Sequence, residues 1–453
     1  MSDKLTPHSP AFDRSLGVLS DQDEIGDGTE PLNNHQKLRE YIRYCRSMLA
    51  RRRSRATFVG VTGSSGKTTC AELVASILSS QGTVINPPED NTVRPIGRAI
   101  RLGQSTSNFA VFEAGIGPVS RMEPMARLIQ PHVAIVTMIG LEHYKTFRSK
   151  EIIATEKGAL IEAIRSGGFA VLNADDEHVM SMATRTNQRI VTFGQSSAAD
   201  YRVVSATAAY PQCLELVVNC RGREVRFNTR LPAAHFWVSC AGAIAAASEL
   251  GVPTEAIQER VARYEGKPLR FQPLVTSGPT FILDTMKAPV GTLPAAFSAF
   301  AACKFPYKRI VLGALAHYGG SDRPKYRDAY RAARAIADQV IVVDRHLHRY
   351  DEVVEDLASG KLLELATPKL VDEHIRRTFR RDELILLKGS ENLHLERIAL
   401  SWTRDVRCWE PKCRRLDETC VECSLIDYPF EQHRQVIDAR KQRNRSGVRL
   451  LGR

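Results

Sequence analysis

The stretch Gly60-Val61-Thr62-Gly63-Ser64-Ser65-Gly66-Lys67-Thr68-Thr69 constrains the fold more than any other part of the chain. An apolar run, Ala56–Val61, precedes it and predicts a buried strand; the residues from Lys67 to Ser80 predict a helix. A glycine-rich turn between a strand and a helix is the context of a phosphate-binding loop. Glycines let the backbone N–H groups turn toward phosphate oxygens, and the helix N-terminus adds partial positive charge. Lys67 is placed to neutralise β and γ phosphates, and Thr68 to ligate Mg2+; Gly63, Ser64, Ser65, Gly66 and Thr69 complete the cradle. The strict Walker spacing wants glycine where Val61 stands, and here it falls one residue earlier. The loop by itself specifies ATP or GTP and no reaction; a glycine turn with an incidental lysine is the alternative.

Around the loop the pattern is α/β. Apolar strands are expected at Phe109–Glu113, Val133–Thr137 and Phe169–Leu172, with a helix at Lys150–Ser166. Strands alternating with helices predict a P-loop central domain over 56–267, with a mostly parallel sheet covered on both faces. Ile190–Phe193, Leu214–Val218 and Val225–Leu231 suggest antiparallel pairing, and an Ala-rich helix follows from about Phe236 to Leu250. Beyond Gly266–Pro268 a second set of strands and helices predicts a smaller Rossmann-like α/β domain over 268–400. With 453 residues, two or three domains are expected. Hydrophobic residues at 43% and charged residues at 25% exclude a fibrous or wholly disordered chain. No apolar run approaches the roughly 18–20 residues of a membrane span. The first 30 residues lack the apolar h-region of a secretory signal. The ten cysteines therefore read as reduced thiols or metal ligands, and a cytoplasmic location is expected.

The flanks differ from the core. Residues 1–34 read as a disordered lead, polar and aperiodic. Residues 35–55 read as a basic amphipathic helix, with Leu38, Ile42, Cys45 and Leu49 recurring at helical spacing and Tyr41 and Met48 adjoining, as the face that packs on the following domain. The formal net charge of +12 is partly concentrated in that helix and in a basic, frayed tail. A basic flank attracts nucleic acid, anionic lipid or phosphorylated ligands, or simply solubilises; no interleaving of aromatic and basic residues supports nucleic-acid recognition. Residues 401–453 form a short Cys-rich tail in which Cys408, Cys413, Cys420 and Cys423 offer four thiolates to a tetrahedral Zn2+. Independent buried thiols, or a redox pair at Cys420 and Cys423, are the alternatives. The helix and this tail are also candidate surfaces for a protein partner.

The shifted spacing of the loop resembles the Mur ligase superfamily, the ADP-forming amide ligases of cell-wall synthesis, and within it the branch that adds D-alanyl-D-alanine to a UDP-muramoyl tripeptide. The resemblance runs over roughly 56–400 through several separated motifs. It assigns Asn91 to a loop near the phosphates, and Glu113, in Val111-Phe112-Glu113-Ala114-Gly115, to magnesium. A carboxylate at the C-terminal end of a strand beside a phosphate loop is in its own right a natural Mg2+ ligand. The resemblance further makes His143 a holder of a second magnesium and Lys157, in Ala154-Thr155-Glu156-Lys157-Gly158-Ala159, a carbamylated lysine that bridges Mg2+. His235 opens the Ala-rich helix near the nucleotide, with Phe236 and Ser239 standing where the family has asparagines. Asn173-Ala174-Asp175-Asp176 reads mainly as a structural Asx turn. Arg270, in Pro268-Leu269-Arg270-Phe271, contacts the γ-phosphate in relatives; Asp284 matches a hinge-side aspartate; Lys388-Gly389-Ser390 resembles a late motif of that branch. Ala314 and His317 replace two acids of another motif, so the incoming amine is expected to differ. Only about 55 residues precede the loop, too few for the family's UDP-sugar domain, so a UDP-muramoyl substrate is not expected.

The function that this implies is ATP-dependent, ADP-forming ligation of a carboxylate to an amine through an acyl phosphate. Lys67 and Arg270 would meet transition-state charge. Thr68, Glu113, His143 and Lys157 would hold two Mg2+ in an interdomain cleft. Small carboxylate and amine substrates, amino acids or peptides, are the expected partners. The alternatives are a Mur-like ATPase subunit of an amidotransferase, and a regulatory or binding module that has lost ligation.

Overall fold

A computed structural model describes residues 33–87, 91–103, 107–117, 122–141, 147–316, 319–344, 351–410, 413 and 418–450. Of the lead expected over 1–34, residues 1–32 lie outside the described residues, as do His143 and His317, while Asn33 and Asn34 begin a helix. The chain divides into two compact units, Met1–Gly266 and Lys267–Arg453.

Among the described residues of the first unit nine strands, with β2 the short edge strand Val84–Ile85, form one sheet in the order β2-β3-β1-β4-β5-β6-β7-β8-β9. Strand β1 (Thr57–Thr62) lies between β3 (Phe109–Glu113) and β4 (Val133–Val136), parallel to both. Val59, Val61, Val111 and Ile135 are fully buried, as expected of a parallel sheet covered on both faces. The sheet continues in parallel through β5 (Phe169–Asn173) and β6 (Arg189–Gly194). Here the sequence reading needs correction: Ile190–Phe193 belongs to the parallel layer, not to the antiparallel set. The antiparallel meander is β7 (Tyr201–Ala209), β8 (Gln212–Cys220) and β9 (Arg223–Asn228). The Ala-rich helix Trp237–Glu249 packs on the Lys67–Leu78 helix; Ala241, Ala243, Ala245, Ala246 and Ala247 are all fully buried, small side chains that allow close backbone approach.

The basic helix forms over Asn34–Arg53, started by a capping box between Asn33 and Gln36. Its packing face matches the predicted one only at Met48. Leu38, Ile42 and Leu49 are 44–48% exposed and Cys45 is exposed. Ser47, Ala50 and Arg51 are buried instead, with Tyr44 and Met48 against the core. Arg51 decides the orientation. Its guanidinium donates to the carbonyls of Ile129 and Gln130, both at 2.6 Å, and lies 3.6 Å over the Phe58 ring. An arginine buried with such partners outweighs a few aliphatic side chains left half in water.

Among the described residues of the second unit six strands form one sheet in the order β10-β11-β15-β12-β13-β14. Strands β11 (Thr280–Asp284), β15 (Glu383–Lys388), β12 (Tyr307–Leu312), β13 (Gln339–Val343) and β14 (Leu362–Leu365) are parallel, and β10 (Gln272–Val275) is an antiparallel edge. The basic tail, expected to fray, contains a helix over His433–Leu450. Among the described residues no helix is long and apolar enough to cross a membrane.

Candidate active site

The phosphate loop sits where β1, β3 and β4 end side by side. Gly63 has φ +144° and Gly66 +77°, both in the half of backbone space that favours glycine. Space forbids a side chain as well: a Cβ on Gly63 would lie 2.0 Å from Thr137 Oγ1, and one on Gly66 2.7 Å from Ser239 Oγ.

Side-chain donors hold the loop from behind. Lys157 Nζ donates to the Gly63 carbonyl at 2.9 Å, Thr137 Oγ1 to that of Ser65 at 2.6 Å, and Ser239 Oγ to that of Gly66 at 3.0 Å. Ser64 Oγ donates to the Gly140 carbonyl at 2.9 Å. An anion receptor made of amides needs its carbonyls turned elsewhere, and these bonds turn three of them. Thr137 and Asn173, whose Nδ2 donates to the Thr137 carbonyl at 2.8 Å, extend the support to β5.

Glu113 ends β3 beside this loop. Its Oε2 accepts from Thr68 Oγ1 at 2.6 Å and its Oε1 from Asn91 Nδ2 at 3.1 Å. Thr68, Asn91 and Glu113 are therefore one constellation, with Lys67 and Thr69 opening the same helix. Lys157 is fully buried on the Lys150–Glu162 helix, against the other end of the loop. His235 stacks on Phe236, ring centroids 4.6 Å apart, at the start of the helix that brings Ser239 to Gly66. Asp176 caps the short helix Glu177–Met180 and accepts from the Ile139 amide at 2.7 Å, while Asp175 accepts from the amides of Gln195 and Ser196. Cys70 and Cys240 are fully buried; burial pushes both thiols up, Cys240 to about 12, so neither is a nucleophile.

The second unit gathers its own charged set. Arg270 stands between Leu269 (φ +61°) and Phe271 (φ +52°), two left-handed non-glycine residues. Such strain persists where surroundings enforce it, here through Leu269 N–H on Gln272 Oε1 at 3.0 Å and Thr285 N–H on the Leu269 carbonyl at 3.2 Å. Lys388 Nζ is buried and pairs with Asp284 Oδ2 at 3.0 Å while donating to the Lys287 carbonyl at 2.7 Å. Burial raises the Glu391 carboxyl above its usual range, against the opposing pull of Lys287 and Arg270.

The four tail cysteines do not assemble. Among the described residues, no three of Cys408, Cys413, Cys420 and Cys423 bring their sulfurs within 4.8 Å of one another; Cys420 instead meets His394 and Glu396. The residues that sequence reasoning missed are Thr137 and Ser239 as loop supports, and this last pair. Thr137 carried a signal, a hydroxyl closing an apolar strand; Ser239 was marked only as a departure from the family's asparagine, with no sign of its bond to Gly66.

Residues 61–247 match the Mur ligase middle domain. Over 353 residues the chain is 26% identical to the UDP-N-acetylmuramoyl-tripeptide--D-alanyl-D-alanine ligase of Treponema pallidum, covering 75% of this chain and 73% of that protein. Among solved structures it resembles MurF from Acinetobacter baumannii, with a TM-score of 0.70, 21% identity and 80% of each chain covered. It also resembles the MurF ligase of Thermotoga maritima in complex with ADP, with a TM-score of 0.69, 19% identity, and 84% of this chain and 87% of that one covered.

Proposed function

We propose, from the premise that this chain belongs to the Mur ligase superfamily, that it is an ATP-dependent, ADP-forming ligase that joins a carboxylate to an amine. The observation that carries the reading is the Thr68–Glu113–Asn91 constellation at the opening of a glycine loop whose carbonyls are held away.

The chemistry follows from leaving groups. A carboxylate cannot acylate an amine directly, because the departing oxide is too basic. Transfer of the γ-phosphoryl of ATP to the carboxylate gives an acyl phosphate and ADP. Attack by the amine then forms the amide, and inorganic phosphate leaves with the electron pair of the broken C–O bond while the amine gives up a proton. The loop amides and Lys67 orient the phosphates and oppose the charge that develops during transfer. Thr68 and Glu113 are hard oxygen donors 2.6 Å apart, a donor set that suits Mg2+. They would hold the ion, and a carbamylated Lys157 and His143 are assigned to a second magnesium position on the strength of the sequence resemblance alone; when bound, Mg2+ supplies neutralisation of the phosphate charge. Arg270 is assigned to phosphate charge, and Asn91, His235 and Asp284 to nucleotide positioning, on the strength of the sequence resemblance.

The supports of the loop also bear on the alternative of a module that has lost ligation. Ser239 stands where relatives have asparagine, yet it holds the Gly66 carbonyl. A loop braced by three distant donors favours a working phosphate site over a relic. The experiment is ADP release across a panel of amino acids and short peptides. Turnover should require both a carboxylate and an amine, and Lys67→Ala should lower it at least about a hundredfold. Acceptor-independent hydrolysis that survives Lys67→Ala would refute the ligase.

A further inference from the structure

His394, Glu396 and Cys420 lie 26 residues apart at most in sequence and offer ligand atoms all within 4.8 Å of one another in the second unit. All three are buried, at 2%, 2% and 7% exposure. Glu396 Oε1 accepts from the Cys420 amide and lies 3.2 Å from each of that amide and His394 Nδ1. The other ring nitrogen, His394 Nε2, is buried with no hydrogen-bond partner. A buried imidazole nitrogen left without a partner is costly unless something binds it. His394 also sits in the left-handed region, φ +46°, where a histidine is uncommon and its surroundings must hold it.

The setting asks for a staple. Among the described residues of 401–430 none lies in a strand or an α-helix, and the small cluster there has Leu400, Val406, Cys420 and Ile426 as its buried members, with Trp409 and Val421 partly buried against them. So small a core stabilises little by burial alone. Cys423 follows Cys420 at the spacing of a Cys-x2-Cys zinc knuckle, its amide donating to the Thr419 carbonyl at 2.9 Å in the same turn. Nearby, the buried Arg397 guanidinium donates to the carbonyls of Leu393, His394, Cys408 and Glu410.

We propose that His394, Glu396 and Cys420, completed by Cys423, bind a single divalent cation of the Zn2+ class that clamps the Cys-rich segment to the Glu391–Leu400 stretch of the same unit. Nitrogen, carboxylate and thiolate donors suit this borderline-soft ion. Tetrahedral Zn–N and Zn–S bonds place ligand atoms roughly 3.3–3.8 Å apart, so a pair at the 4.8 Å limit needs to close by about 1–1.5 Å. On binding, each thiol releases its proton to solvent and each sulfur donates a lone pair to the metal. Two thiolates and one carboxylate around a dication leave one net negative charge, which Arg397 offsets from the adjacent backbone. The site is independent of the ligase reading, and its readouts are metal content and spectra.

The test is elemental analysis of the purified full chain, followed by Co2+ substitution of chelator-treated protein. Zinc at about one ion per chain is expected, together with a Co2+ spectrum showing thiolate charge transfer and tetrahedral ligand-field bands. Cys420→Ser and His394→Ala should each lower bound zinc about tenfold or more, while Cys408→Ser and Cys413→Ser retain it. Roughly a tenth of an ion per chain or less in the unmodified protein, with no tetrahedral cobalt spectrum, would overturn the site. So would zinc that survives Cys420→Ser but is lost on Cys408→Ser. If Cys420→Ser or His394→Ala fails to fold, the spectrum of the unmodified chain decides: absence of thiolate charge transfer refutes the ligand set, and its loss of intensity in Cys423→Ser supports it.

Discussion

The brace behind the phosphate loop makes Gly63→Ala a quantitative test. Alanine at φ +144° is strained by about 1–3 kcal/mol. Its methyl would also lie 2.0 Å from Thr137 Oγ1, which must retreat by more than an ångström. That movement breaks the 2.6 Å bond from Thr137 to the Ser65 carbonyl, a buried loss of about 1–3 kcal/mol. The reduced freedom of the unfolded alanine chain returns about 0.4–1 kcal/mol. The middle of these ranges is a net destabilisation of about 2–4 kcal/mol, and nucleotide affinity should fall by about fivefold to thirtyfold if half of that strain sits in the bound loop. Thr137→Ala removes both the obstacle and the bond, so the two substitutions share one cost. The double variant should therefore be less destabilised than the sum of the singles, by about 1–2 kcal/mol. The assay is urea unfolding in a Trp402→Phe/Trp409→Phe background, where Trp237 alone of the three tryptophans remains to report the first unit, with ADP affinity measured by titration calorimetry. The reasoning fails if Gly63→Ala unfolds at the unsubstituted midpoint with ADP affinity intact. Strictly additive singles would fail it equally, because the collision with Thr137 is what couples them.

Other consequences follow from the same geometry. Glu113→Gln keeps the side-chain shape but removes the charge beside Thr68; ADP release should fall at least about a hundredfold with the circular dichroism spectrum and melting temperature retained, and turnover within a few fold of the unsubstituted chain would count against a metal role. Arg51→Ala removes two bonds to carbonyls and the stacking on Phe58; a loss of about 3–4 kcal/mol is expected, with limited proteolysis releasing the Asn34–Arg53 helix, whereas Leu49→Ala, at a 48% exposed position, should stay within about 0.5 kcal/mol. His132 lies partly buried with Nδ1 accepting from the Phe58 amide at 2.9 Å, and burial, then Arg51 and Arg165, lowers its pKa from 6.5 to about 4. The unfolded chain binds the extra proton between those values, so this contribution is complete above pH 6.5 and is lost as pH falls toward 4; urea midpoints measured across that range should decline, and His132→Gln should flatten the decline.

The parts of the molecule visible in the sequence are those whose chemistry is local. A glycine loop between a strand and a helix, and an acid closing Phe109–Glu113, are each complete within about ten residues, and the sheet then has little choice but to bring β1 and β3 together. What the sequence hides depends on competition between distant groups. Hydrophobic spacing places Leu38, Ile42 and Leu49 inward, but the Arg51 guanidinium finds two carbonyls and the Phe58 ring on the other face, and the helix turns accordingly. Four cysteines within 16 residues read as one metal site, yet the backbone carries Cys420 to a histidine and a glutamate that precede it by more than twenty residues. The loop shows the same division. Its glycines permit the turn, but they do not say which way the peptide groups face. That is set by Lys157, Thr137 and Ser239, which come from 94, 72 and 173 residues away to take the carbonyls of Gly63, Ser65 and Gly66. With those three oxygens held away from where an anion would sit, the capacity to receive a phosphate belongs to the assembled sheet more than to the ten-residue motif that announces it.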